Sequence, residues 1–273
     1  MARLRAGSSD SWLVLPALAL LVLGFLGPMV LFFVKTLAEQ GGAAKLYELF
    51  AAVLLSDAVS MALVQTHWIA LLVTLAVLVI SYPMAYYMAN SSGLRFTLLL
   101  FCIIVRTYAW MILLGRNGLI NQTLASLGII DQPLDLLYTE MAVVIGMVYV
   151  LLPYMVLTLY ATMKSIDPTL VRAARGMGAS APYAFWRVYF PLSLHGVVSG
   201  SLIVFILAIG FFITPALMGG PRDVMIAMLI ERAVEITLDW PGAAVMSLVL
   251  LAVTLVLYAV YYRVTDVRRM MGG

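Results

Sequence analysis

Six long apolar segments dominate this chain of 273 residues and limit what it can fold into. A membrane-spanning helix needs about 20 apolar residues, because it rises about 1.5 Å per residue across a hydrocarbon core of roughly 30 Å. The segments that reach this length are residues 12–34, 59–88, 94–114, 141–163, 194–217 and 243–262. The sequence therefore predicts an all-α membrane protein with six transmembrane helices.

The composition supports a multi-pass membrane protein and gives no sign of an enzyme. Hydrophobic residues make up 64% of the chain and charged residues 11%, against about a quarter charged in soluble domains. The net charge of +3 is too small to indicate nucleic-acid binding. The single cysteine, Cys102, excludes an intrachain disulfide, and His67 and His195 are isolated, so no metal site or catalytic residue is predicted.

The distribution of basic residues predicts that both termini are cytoplasmic. With the N-terminus inside, the inside segments contain ten of the sixteen basic residues, namely Arg3, Arg5, Arg95, Lys164, Arg172, Arg175, Arg187, Arg263, Arg268 and Arg269. Cytoplasmic loops of membrane proteins carry such an excess of lysine and arginine. We therefore expect cytoplasmic tails at residues 1–11 and 264–273, flanking a six-helix transmembrane domain at residues 12–263.

A basic segment at residues 164–193 separates the fourth and fifth spans and would lie in the cytoplasm. Asp167 is placed to cap a helix that begins at Pro168, where proline's missing N–H would have no partner in any case. Gly176 and Gly178 should weaken or end that helix.

A second short helix is expected after these glycines. Ser180 and Pro182 can start it, and its aromatic residues at about 181–189 should lie along the membrane face. The sequence predicts that it ends before Pro191. From the residues alone, an ordinary interfacial helix explains the segment equally well.

The spacing within this segment resembles the EAA loop of bacterial ABC-importer permeases. That loop has the pattern E-A-A, three residues, G, nine residues, I-x-L-P. Ala173 and Ala174 take the two alanines, Gly178 follows at the family's interval, and Pro191 closes the pattern. In the family, the loop contains a coupling helix that docks on the cytoplasmic ATPase.

Two positions depart from the EAA pattern. Arg172 stands where the family usually has glutamate, and Phe190 stands for leucine. The first departure puts in doubt any salt bridge that the glutamate makes to the ATPase. The resemblance implies that the residues coupling the chain to ATP hydrolysis are Arg172, Ala173, Ala174, Gly178, Ala181, Tyr183, Phe185, Trp186 and Pro191.

Other stretches resemble the spermidine/putrescine permease family. They are VRTYAWMILLGRNGLIN, GIIDQPLDLLYTEMAVVIGMVYVLLPYMV, TPALMGG and DWPGAAVMS. The resemblance implies a type I ABC-importer permease fold in the bacterial inner membrane, forming half a pathway for putrescine, spermidine or a related amine. The alternatives are the same importer class carrying an amino acid, an opine or an organophosphonate, and, in another class, an ion-coupled secondary transporter.

The resemblance also implies partners. They are two ABC ATPase subunits holding ATP and Mg²⁺, a second homologous permease in a heterodimer, a solute-binding protein, and membrane lipid. No nucleic acid is expected, and this chain needs no cofactor of its own. Its three lysines, Lys35, Lys45 and Lys164, do not follow glycine, so the chain has no phosphate-binding loop of its own.

Candidate pathway residues are polar or aromatic side chains within the spans. A charged residue near the middle of a span costs about 2.5–3.5 kcal/mol to insert, so we expect Arg106 to face a cavity or to pair, for example with Glu140. Aromatic faces suit an alkylammonium ion. The complete set is Arg106, Tyr108, Trp110, Tyr149, Tyr154, Phe212 and Thr214.

Overall fold

The computed structural model describes residues 15–38, 43–90, 113–130 and 132–265. These residues fall into two compact units. One includes the described residues up to Ser56 together with 230–249, and the other runs from Asp57 to Leu229 and continues from Leu250. In chain order the elements are α1 (Leu15–Leu21), π1 (Val22–Leu26, a π-helical turn), α2 (Gly27–Ala38), α3 (Ala43–Leu54), α4 (Asp57–Ala89), α5 (Leu119–Ser126), α6 (Glu140–Ser165), α7 (Pro168–Gly176), α8 (Ala181–Ala184), π2 (Phe185–Tyr189, also π-helical), α9 (Phe190–Ile209), α10 (Ile213–Met218), α11 (Ile226–Glu235) and α12 (Trp240–Thr265).

Five helical runs in the described residues are long and apolar enough to cross a membrane. They are Leu18–Thr36, Asp57–Ala89, Glu140–Ser165, Ala181–Ile209 and Trp240–Ala259. They coincide with five of the six predicted spans. The other, residues 94–114, lies outside the described residues except for its last two positions, as do the tail at 1–11 and the residues from 266 onward. The six-span count and the cytoplasmic termini stay predictions.

The core of the second unit lies between α4, α6 and α9. Ile69 and Val73 of α4 pack with Met147 and Leu151 of α6, and Val204 of α9 joins the same fully buried cluster. Apolar residues surround each of these helices rather than forming one stripe, as expected of spans that meet protein on one side and lipid on the other. This packing holds the two ends of α4 and α6 at fixed positions.

Two glycines allow α9 to approach α6 closely, as their G-x-x-x-G spacing predicts. A methyl group on Gly196 would lie 2.8 Å from Cβ of Thr162, and one on Gly200 would lie 2.6 Å from Sδ of Met155. Neither position has room for a side chain as the helices stand. The small residues therefore set the distance between these two spans.

The prediction that a short helix ends before Pro191 is wrong. The chain is helical without a break from Ala181 to Ile209. Proline breaks a regular α-helix because it lacks an N–H and its ring crowds the preceding turn. Here a π-helical turn precedes Pro191, and the N–H of Phe190 bonds to the carbonyl of Phe185, five residues back. The widened turn accommodates the proline, so the second short helix is the first part of the fifth span.

The predicted outer end of the fifth span, at residue 217, is also wrong. The span ends at Ile209, Gly210 follows in a turn, and a separate helix begins at Ile213. Pro215 is the third residue of that helix, where no intrahelical donor is lost. Phe212, one of the predicted pathway residues, lies directly before this separate helix.

Candidate functional site

The segment between the fourth and fifth spans begins with a capped helix, as predicted. The carboxylate of Asp167 accepts a 2.8 Å hydrogen bond from the N–H of Thr169, in the first turn of α7. This bond, helped by the charge of Arg172, holds the pKa of Asp167 below its ordinary value. The cap is therefore complete above the ordinary aspartate pKa and is lost as the pH falls through the lowered value.

Gly178 ends α7 in a conformation that favours glycine. Its φ is +93°, in the left-handed region. Its N–H donates a 3.0 Å hydrogen bond to the carbonyl of Arg175. The N–H of Ala179 donates a 3.1 Å hydrogen bond to the carbonyl of Ala174. This pair of bonds is a Schellman motif, which satisfies the last carbonyls of a helix. The glycine of the EAA spacing thus has a local physical reason: it turns the chain from α7 into α8.

The surface of this segment is apolar at several exposed positions. Met177 is 84% exposed, Trp186 61% and Tyr183 58%, and no residue of α7 is buried. We call Leu170, Met177, Tyr183 and Trp186 the coupling surface. Of the other coupling candidates, Arg172, Ala173, Gly178, Ala181 and Pro191 are exposed, and Ala174 and Phe185 are partly buried.

The aromatic residues of this segment differ in what they contact. The ring of Phe185 lies 5.5 Å from that of Tyr86 on α4 and stacks on Tyr189 at 5.9 Å, centroid to centroid. The ring of Trp186 is 61% exposed and lies 5.3 Å from that of Phe185 and 5.0 Å from that of Phe190, and the guanidinium of Arg187 lies 6.0 Å from the centre of the Tyr183 ring. Phe185 therefore fastens the segment to α4, whereas the side chains of Tyr183 and Trp186 stay more than half exposed.

The structure does not gather the predicted pathway residues into one site. Arg106, Tyr108 and Trp110 lie outside the described residues. Tyr149 and Tyr154 are five positions apart on α6 and so point about 140° apart around that helix. The other two predicted residues follow the fifth span. Phe212 precedes α10 and is exposed, and Thr214 lies within α10 and is buried.

Thr214 packs on α6. A methyl group on Gly146 would lie 2.7 Å from Cγ2 of Thr214, so the close approach of α10 to α6 depends on that glycine. Thr214 is only 9% exposed in the chain as described. Its position holds α10 against the fourth span.

A polar cluster at the other end of α4 and α6 was missed by the sequence analysis. Glu140 accepts a 3.0 Å hydrogen bond from Nε1 of Trp68 and a 3.5 Å one from Nε2 of Gln65. Glu140 is the first residue of α6, where the helix dipole favours a negative charge. The sequence named Glu140 only as a partner for Arg106, and no spacing rule links it to residues 72 and 75 positions earlier. Within the described residues, no three His, Cys, Asp or Glu side chains come together to hold a metal ion.

Comparison with known proteins identifies the family. The model of the family described as "Binding-protein-dependent transport system inner membrane component" matches residues 66–269. The spermidine/putrescine transport system permease protein PotB of Escherichia coli is 39% identical over 202 residues, covering 71% of this chain and 74% of PotB. PotB of Haemophilus influenzae is 35% identical over 198 residues, covering 70% and 69%. The molybdenum transport system permease ModB of Mycobacterium bovis is 31% identical over 189 residues, covering 66% and 70%.

A solved structure shows the same fold. A chain of the bacterial alginate ABC transporter, crystallised with its alginate-bound periplasmic protein, superimposes with a TM-score of 0.78 over the whole of both chains at 15% identity. The apolar helical runs, the EAA spacing and these matches agree with one another. The chain therefore belongs to the family of binding-protein-dependent transport system inner membrane components, and it is a non-catalytic, multi-pass permease subunit of an ABC importer.

Proposed function

We propose that this chain forms half of the translocation pathway for a polyamine or a related small amine. The observation that carries the proposal is the 39% identity to a permease named for spermidine and putrescine transport, over 202 residues. A solute-binding protein would deliver the amine from outside the membrane. A second, related permease would supply the other half of the pathway.

The Glu140 cluster gives this proposal a chemical basis. An alkylammonium ion is recognised by a carboxylate and by the face of an aromatic ring. Glu140 and Trp68 present both groups, joined by a 3.0 Å hydrogen bond, and Trp68 is half exposed. They lie at the end of α4 and α6 opposite the coupling surface, where an incoming amine would first meet the spans.

The coupling surface is the proposed contact with the ATPase. Its four apolar side chains are exposed on a segment that otherwise carries charge, and binding a partner would remove them from water. Two ATPase subunits, which bind the ATP and Mg²⁺, would each bind one permease subunit. Arg172 reverses the charge usual at its position, so we expect the ATPase surface at this position to differ from that of other family members.

A different solute is the second candidate. Arg106 in the third predicted span would repel a cation, and the chain is also 31% identical to a molybdenum permease. An amino acid, an opine or an organophosphonate carries a carboxylate or a phosphonate that an arginine can bind. The two candidates differ in the charge that the pathway must accept.

Uptake of radiolabelled putrescine and spermidine by the intact importer tests the choice. Glu140→Gln removes the carboxylate and should raise the KM for the amine, whereas Asp135→Asn, in an exposed pair with Arg116, should not. Cation uptake that is saturable, needs ATP and depends on Glu140 would support the polyamine proposal. Wild-type importer that takes up glutamate or a phosphonate but no amine would overturn it.

A further inference from the structure

A cavity of about 530 Å³, with both charged and apolar walls, lies where α7 faces the ends of α4 and α6. Three cations line it: Lys164 at the end of α6, and Arg172 and Arg175 on α7. Asn90, after the end of α4, adds an amide, and no carboxylate is among the lining residues. The chemistry of this cavity suits an anion.

The cations of this cavity lack close neutralising partners. Among the residues that the structure describes, no carboxylate lies within 4.0 Å of the guanidinium of Arg172 or Arg175. The nearby Asp167 is engaged with Thr169 and influences Arg172 only at longer range. Lys164 donates one hydrogen bond, 3.3 Å long, to the carbonyl of Ala89 and keeps two N–H groups for another acceptor. The three side chains are exposed, so water weakens their mutual repulsion, and an anion placed among them would be attracted by all three charges.

The remaining walls of the cavity are aromatic and apolar. Tyr86, Phe185 and Tyr189 form one wall, and the ring of Tyr86 meets that of Tyr189 edge to face at 5.0 Å. Met163 and Ile166 contribute aliphatic surface. Aromatic residues at the end of a span mark the level of the lipid headgroups. The cavity thus combines a charged side with an apolar side, and a phospholipid has the same two parts.

We propose that this cavity binds the phosphate of an anionic phospholipid. Basic pockets at the ends of transmembrane helices are a recognised way of holding such headgroups. Here the phosphate would bridge Lys164 on α6 and the two arginines on α7. The lipid would thereby hold α7, which carries part of the coupling surface, against the spans that must respond to it. This inference goes beyond the proposed solute and does not depend on it.

Lipid retention by the complete importer tests the inference. The importer is exchanged into nanodiscs of phosphatidylcholine with or without phosphatidylglycerol, released, and its bound phosphatidylglycerol is counted by native mass spectrometry. Arg175→Gln should lower the affinity for phosphatidylglycerol about fivefold, the loss expected for one cation at an anionic lipid surface. Lys164→Gln should act in the same direction.

Arg187→Gln is the matched control, because Arg187 belongs to the same basic segment but lies over Tyr183 and not in the cavity. It should retain phosphatidylglycerol like the wild type. Equal retention by Arg175→Gln, Lys164→Gln and Arg187→Gln would overturn the proposal. So would complete displacement of the lipid by inorganic phosphate, since the cavity would then be a site for the free ion. Solute uptake plays no part in these measurements, so failure here is distinct from failure of the polyamine assignment.

Discussion

The hydroxyl of Thr66, in the first third of α4, accepts a 2.8 Å hydrogen bond from the backbone N–H of Ile226, 160 residues later. Both residues are fully buried. Ile226 is the first residue of α11, and the first N–H groups of a helix have no partner within it. Thr66 of α4 therefore caps α11 and holds the first residue of that helix against α4.

Replacing Thr66 should show what this bond contributes. Thr66→Val keeps the shape but leaves a buried N–H without a partner, which costs about 1–3 kcal/mol. Thr66→Ser keeps the hydroxyl and should lose less. The melting temperature of the purified complex, followed by size-exclusion chromatography after heating, would separate the two. Equal melting temperatures for the two variants would contradict the bond's role.

Gly196 and Gly200 should differ in their tolerance of alanine. A methyl group at residue 196 meets the branched, stiff Thr162, whereas one at 200 meets the flexible end of Met155. Gly196→Ala should destabilise the complex by about 1–3 kcal/mol through overpacking. Gly200→Ala should be close to neutral, because the better helix propensity of alanine offsets a small shift of Met155. Thermal stability in detergent measures both, and a reversed order would show that helix spacing is not set as described.

Truncating Phe185 should mainly reduce the stability of the permease, whereas truncating Trp186 should mainly reduce its binding to the ATPase. Phe185→Ala removes a ring packed on Tyr86 and should lower the free energy of unfolding by about 1.5–3 kcal/mol. Trp186→Ala should lower thermal stability less than Phe185→Ala, because the Trp186 ring is 61% exposed although it touches Phe185 and Phe190, but it should weaken ATPase binding by about tenfold or more, as expected of an interface anchor. Thermal melting and ATPase pull-down on both variants provide the comparison. A Trp186→Ala chain that holds its ATPase normally would remove Trp186 from the coupling surface.

Gly178 should be far more sensitive to alanine than Gly176. A side chain at φ +93° is strained, by about 1–2 kcal/mol in the left-handed region, whereas Gly176 is the last residue of an α-helix with open space around its Cα. Gly178→Ala should disturb the turn from α7 into α8 and reduce solute-stimulated ATP hydrolysis. Gly176→Ala should retain it. Stimulated hydrolysis by reconstituted importers tests the pair, and equal activities would argue against the importance of the turn.

Much of this fold could be predicted because apolar length determines a membrane span. The capped start of α7 followed from Asp167 and Pro168, and its end from Gly178, since these are local rules. The continuation of the helix through Pro191 could not be predicted, because it depends on a π-helical turn that the tertiary packing of Phe185 supports. The helices outside the spans, such as α5, were missed because they are short and carry no long apolar run.

The sequence likewise predicted only the local parts of the candidate site. The EAA spacing located the proposed coupling segment, but the packing of Phe185 on Tyr86 depends on where α4 lies. The pairing of Glu140 with Trp68 joins residues 72 positions apart, and no pattern in one sequence indicates such a contact. Local sequence can therefore locate a docking segment more readily than it can locate a solute pathway built by several helices.

Site-directed photocrosslinking at Met177 tests the central claim most directly, namely that this permease couples to an ATPase through residues 164–193. A photoreactive amino acid replaces Met177, which is the most exposed residue of the coupling surface at 84%, and Leu127 after α5, which is 67% exposed, serves as the control. Irradiation of native membranes should join position 177 to an ABC ATPase subunit and leave position 127 without that product. An ATPase crosslink at 127, or none at 177 in membranes that transport the solute, would contradict the account.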